Sequence, residues 1–168
     1  QTEFQNLQND TQIRAVVISG AGKAFCAGHN LKEMTKGRNA KDGGKSYFLN
    51  LFERCAKMMM LIQKLPQPVI AKVHGIATAA GCQLVATCDL AVAEQSTKFG
   101  VNGVNIGLFC STPMVAVSRK LPRKKMMEML LMGDLVDAET ALEFGLINRV
   151  VAYGQLEETV SNYANKIK

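Results

Sequence analysis

The chain has 168 residues, 48% of them hydrophobic and 20% charged, and a net charge of +6 at pH 7. That length fits a single domain with a sizeable core, and the hydrophobic share excludes a disordered chain. No apolar run reaches the ~18 residues of a membrane span, and Gln1-Thr2-Glu3-Phe4-Gln5 lacks the basic-then-apolar order of a secretory signal.

Ala15-Val16-Val17-Ile18-Ser19 is a short apolar, β-branched run closed by Gly20-Ala21-Gly22, and it predicts a buried strand. The polar, Gly-rich stretch over 36–45 predicts a mobile loop. From Tyr47 to Leu65 apolar residues recur every three or four positions, as on an amphipathic helix, and Pro66 and Pro68 stop it. Val69–Val73 predicts a second strand. Gly75-Ile76-Ala77-Thr78-Ala79-Ala80-Gly81 then turns the chain into a helix running from about Ala80 to Thr87. Leu90–Ala93 is a third strand, residues 112–120, 123–132 and 138–144 are helical, and Asp137 is a good N-cap for the last of these. Leu146–Val151 forms another strand and Gln155–Ile167 a terminal helix. Strands alternating with helices make an α/β fold with a largely parallel sheet.

The five cysteines (Cys26, Cys55, Cys82, Cys88 and Cys110) are odd in number and contain no CxxC pair. They argue against a disulfide framework or a zinc site and for a reducing compartment. Basic residues gather at Arg119, Lys120, Arg123, Lys124 and Lys125. This knot suits an anionic partner or a plain solvated helix face, and the absence of aromatic-interleaved basic motifs argues against nucleic acid.

Gly20-Ala21-Gly22 invites a dinucleotide reading, but Phe25 stands where the third glycine is needed, and no GxxxxGK[ST] string exists. Two other segments carry more chemistry. Lys23 to Met34 and His74 to Leu84 each read as a strand followed by a turn of small residues, through which backbone N–H groups can approach a ligand. The second turn opens a helix, whose free N–H groups favour negative charge. Two such groups converging on one oxygen would form an oxyanion hole. Two ordinary tight turns remain the alternative reading of the same residues.

FCAGHNLKEM, HGIATAAGCQLVATCDLAVA, KFGVNGVNIGL and LLMGDLVDAETALEFGLINRVV occur in that order. Together they resemble the signatures of the enoyl-CoA hydratase/isomerase (crotonase) superfamily, with a pattern similar to its mitochondrial enoyl-CoA hydratase domain-containing members. The resemblance implies a crotonase-like ββα spiral, a ClpP/crotonase-type superhelix. It implies a single domain over 1–168 that lacks the family's N-terminal hairpin and last C-terminal helices. It further implies an acyl-CoA thioester as ligand, with coenzyme A as part of that ligand and no separate cofactor or metal. A homotrimer or hexamer, a mitochondrial address and a place in fatty acid metabolism follow from the same likeness.

Residue by residue, the resemblance assigns the oxyanion N–H groups to His29 and Ala80 and a backbone contact with coenzyme A to Ala27. The His29 imidazole is expected to pack or face solvent and not to act as a base. The family's hydratases carry two glutamates at the positions that Gln83 and Gly103 occupy here. Gln83 does not titrate and Gly103 has no side chain, so the usual acid/base pair is missing. The aspartate of dienoyl-CoA isomerases matches Ser111, with Cys110 beside it as a packed thiol or a nucleophile. Asn102, Asn105 and Gln83 remain as hydrogen-bonding groups. Three functions therefore compete: an acyl-CoA binder without the pair, an isomerase or hydratase using other residues, and a basic scaffold for RNA or protein.

Overall fold

The computed structural model describes residues 2–168. Its main sheet has four parallel strands in the order β1 (Val16–Ser19), β2 (Val69–Val73), β4 (Leu90–Glu94) and β7 (Arg149–Val151). A smaller sheet joins β3 (Ile76–Thr78) in parallel to β5 (Lys98–Gly100), and β5 antiparallel to β6 (Val136–Asp137). The α/β class and the parallel sheet expected from the sequence are thus present.

The central strands read as continuous apolar runs because both of their faces are covered. Val69, Ala71 and Val73 of β2 and Ala91 and Ala93 of β4 pack into the larger core, with Cys55, Met59 and Ile62 of α3 (Lys45–Lys64). The alternate residues Ile70 and Val92 face a second cluster, built with Leu156 and Val160 of α8 (Leu156–Ile167). The spacing of Cys55, Met59 and Ile62 puts them on one stripe of α3, and Gln67 follows at its end. The amide of Gln67 donates to the carbonyls of Leu7 and Asp10, which holds α1 (Thr2–Leu7) near that end.

Some elements differ from the expectations above. Residues 31–38 form helix α2 (Leu31–Arg38), so the expected mobile loop over 36–45 is helix at its start and turns beyond. Asn30 caps α2, its Oδ1 accepting from the N–H of Lys32 at 3.0 Å, and this Asx-type cap outweighs the glycine content that suggested a loop. Residues 76–78, expected as a turn, form β3, because Ile76, Ala77 and Thr78 find a parallel partner in β5. The strand expected over 146–151 is only β7, since Leu146 and Ile147 pack in the core as the chain leaves α7 (Ala138–Glu143). The cap on α7 is as expected, with Asp137 Oδ1 accepting from Thr140 N–H at 2.9 Å.

Candidate functional site

The two small-residue turns meet. Cys26 forms a parallel bridge with Ala77, its N–H donating to Ile76 O and its carbonyl accepting from Thr78 N–H, both at 3.0 Å. This pairing lays the first turn alongside β3. The second turn is drawn towards the small sheet by Ala79 N–H, which donates to Gly100 O at 2.9 Å. Ala79 is the non-glycine with positive φ among the described residues, at φ 51° and ψ −118°. Gly28, at φ 95°, faces it so closely that an added Cβ would lie 3.0 Å from Ala79 Cβ and 3.5 Å from Ala80 N.

Where the turns meet, a cavity of about 260 Å³ opens. Ala27, His29, Ala80, Gln83 and Gly103 all line it, so the structure gathers every site residue expected from the sequence around one space. Ala80 begins α4 (Ala80–Thr87), where the first N–H groups have no intrahelical acceptor. Among the described residues, no backbone bond takes up the N–H of His29 or of Ala80. The Ala27 carbonyl accepts from the Thr78 hydroxyl at 3.3 Å.

Gln83 is buried, and its Oε1 has no partner among the described residues. A buried acceptor without a partner costs about 1–3 kcal/mol. His29 packs edge-on against Phe52, with ring centroids 6.0 Å apart, and burial lowers its pKa from 6.5. Gly103 sits in the short 3₁₀ turn of residues 102–106 and donates its N–H to Cys110 Sγ at 3.3 Å. Cys110 and Ser111 also line the cavity, where the chain enters α5 (Ser111–Val117). Asn102 reaches the cavity too. Asn105 lines it as well, but its side chain donates to Gly133 O at 2.9 Å and so closes the end of α6 (Arg123–Met132).

The apolar wall is a feature that motif reading misses. Leu31 and Met34 of α2 join Ile106, Leu108 and Phe109 in lining the opening. The apolar residues between Ile106 and Phe109 are the available signal. The knot of basic residues at 119–125 does not line this space. Lys125 within it pairs with Glu128 at 3.6 Å and lies 4.9 Å from the Phe144 ring centroid. All five thiols are free. Among the described residues no helix is long and apolar enough to cross a membrane.

Residues 1–168 match the sequence profile of the family described as enoyl-CoA hydratase/isomerase. The chain belongs to that family. Over 167 residues it is 47% identical to a Xenopus laevis protein named enoyl-CoA hydratase domain-containing protein 3, mitochondrial, covering 99% of this chain and 55% of that protein. A crystal structure of an enoyl-CoA hydratase from Mycobacterium smegmatis superposes with a TM-score of 0.92 at 52% identity, covering 99% of this chain and 63% of that one. The structure of human enoyl-CoA hydratase domain-containing protein 3 does so with a TM-score of 0.88 at 43% identity, covering 99% and 66%. The crotonase-type fold is therefore the fold of this chain. The chain spans about half the length of the curated relatives it matches.

Proposed function

We propose that the chain forms an acyl-coenzyme A site without the acid/base pair of a hydratase. The observation that carries this reading is the meeting of the two turns at one mostly apolar cavity. In it, a thioester carbonyl accepts from the N–H groups of His29 and Ala80. These donors belong to the backbone, so they survive a change of side chain. Ala27 lies beside the coenzyme, and the acyl chain runs along the apolar wall. Gln83 and Gly103 offer neither a base to activate water nor an acid to protonate carbon, and such proton transfer contributes ~10²–10⁴-fold.

The same reading makes fatty acid metabolism the setting of the protein, and a mitochondrial address is supported by relatives whose names carry the word mitochondrial. It also makes the protein a homotrimer or a dimer of trimers. Exposed apolar residues such as Leu131, Met132 and Leu135 give an interface something to cover. Sedimentation of the full chain tests the assembly.

Calorimetric titration with butyryl-CoA and with free coenzyme A tests the site. Butyryl-CoA is expected to bind more tightly than coenzyme A alone, and a folded sample that binds neither sinks the proposal. Incubation with crotonyl-CoA tests the chemistry, with no hydration expected. Formation of the 3-hydroxy product would instead make the protein a hydratase whose base lies elsewhere. RNA binding that is steep in salt and indifferent to acyl-CoA would favour the basic-scaffold reading.

A further inference from the structure

Gly103 and Cys110 share one small volume. A Cβ placed on Gly103 would come within 2.7 Å of Cys110 Sγ and 2.3 Å of Leu108 O. The sulfur thus fills the space from which a side chain at 103 would project. It accepts the Gly103 N–H at 3.3 Å, which fixes its position against the 102–106 turn. Among the described residues Cys110 is the one thiol on the cavity wall. Cys82 and Cys88 belong to the same core cluster as Cys110 but do not line the cavity, and burial pushes the pKa of each of these two thiols up to about 12. A second, independent feature lies on the same wall: Gln83, 6% exposed, lines the cavity, and its Oε1 is buried without a partner.

We propose that the Cys110 thiol adds reversibly to the β-carbon of an α,β-unsaturated acyl thioester bound in this cavity, holding it as a covalent thioether. This inference rests on the acyl-CoA reading of the site. The new bond joins Sγ to the β-carbon. The π pair of the carbon–carbon double bond moves to form an enolate, whose oxygen faces the N–H groups of His29 and Ala80. The S–H bond breaks as the S–C bond forms, its proton passing to solvent water, and a proton from solvent water ends on the α-carbon. Nothing is oxidised or reduced and coenzyme A stays attached, so no co-reactant is consumed. Where a hydratase adds water, this site adds its own sulfur.

The test is intact-mass spectrometry and peptide mapping of the full chain after incubation with crotonyl-CoA or butyryl-CoA, alongside calorimetric binding of butyryl-CoA. The expected result is a mass increase equal to the whole of crotonyl-CoA, mapped to Cys110, with no adduct from butyryl-CoA. Excess butyryl-CoA is expected to suppress the adduct by competition. Cys110→Ser is expected to lose the adduct while keeping a cooperative thermal melt, and if that variant does not fold, the peptide map of the wild-type chain still locates the bond. A gain of the acyl group alone with release of coenzyme A overturns the proposal in favour of acyl transfer. A bond mapped to Cys26 overturns it as general thiol reactivity. Butyryl-CoA binding with no crotonyl adduct overturns the thiol addition and leaves the acyl-CoA reading standing, whereas absence of all binding overturns both.

Discussion

Gly81 and Cys26 touch backbone to backbone: a Cβ on Gly81 would lie 1.9 Å from the Cys26 carbonyl oxygen. That carbonyl already accepts from Thr78 N–H and cannot swing aside without breaking the bridge between the first turn and β3. Gly81→Ala is therefore expected to push the two turns apart. Overpacking of this kind costs about 1–3 kcal/mol, read as a lower midpoint in urea unfolding, and acyl-CoA affinity is expected to fall with it. Unchanged stability in the Gly81→Ala variant would mean that the turns are not locked together here.

Ala79 sits in a backbone conformation suited to glycine, and such strain costs on the order of 1–3 kcal/mol. Ala79→Gly relieves that strain while giving the unfolded chain more freedom, a loss of about 0.4–1 kcal/mol. The expected net effect is a stabilisation of about 1 kcal/mol. Paired urea titrations of the two proteins check its sign.

Restoring glutamates at 83 and 103 is not expected to restore hydration. The space for a side chain at 103 is taken by Cys110 Sγ and the Leu108 carbonyl, so Gly103→Glu must displace the 108–110 segment. The double variant Gln83→Glu/Gly103→Glu is expected to lose about 1–3 kcal/mol of stability and to leave crotonyl-CoA unhydrated. Measurable 3-hydroxybutyryl-CoA from that variant would show that the wall yields.

Burial lowers the pKa of His29 below its ordinary 6.5. The unfolded chain then binds a proton before the folded one does, so stability falls as pH drops below about 6.5 and levels off once the folded imidazole has titrated. Thermal midpoints taken from about pH 8 to about pH 5 are expected to decline less in His29→Gln than in the wild-type chain. Parallel declines would place the pH sensitivity elsewhere.

Much of this was legible along the chain. The apolar runs of β2 and β4 are readable because a strand covered on both faces needs no polar residues. The α3 stripe is readable because Cys55, Met59 and Ile62 recur at helical spacing, and the Asp137 cap because one carboxylate meets one N–H three residues on. Sequence motifs also named the residues of the cavity. They could not show that residues 76–78 are a strand, since β3 exists only through its pairing with β5 and Cys26. Nor could they show helix α2, whose cap outweighs a glycine-bearing sequence.

Residue types and their periodicity along one chain suffice for the α/β order, the family likeness and the absence of a titrating pair at 83 and 103. They do not reach the contacts that shape the cavity. Gly28 lies against Ala79 and Ala80, Gln83 is buried with an unpartnered oxygen, and Cys110 fills the space beside Gly103. Each of these came to light only in three dimensions. Each is a contact between segments set by close packing, and a linear sequence carries no record of which surfaces will be pressed together.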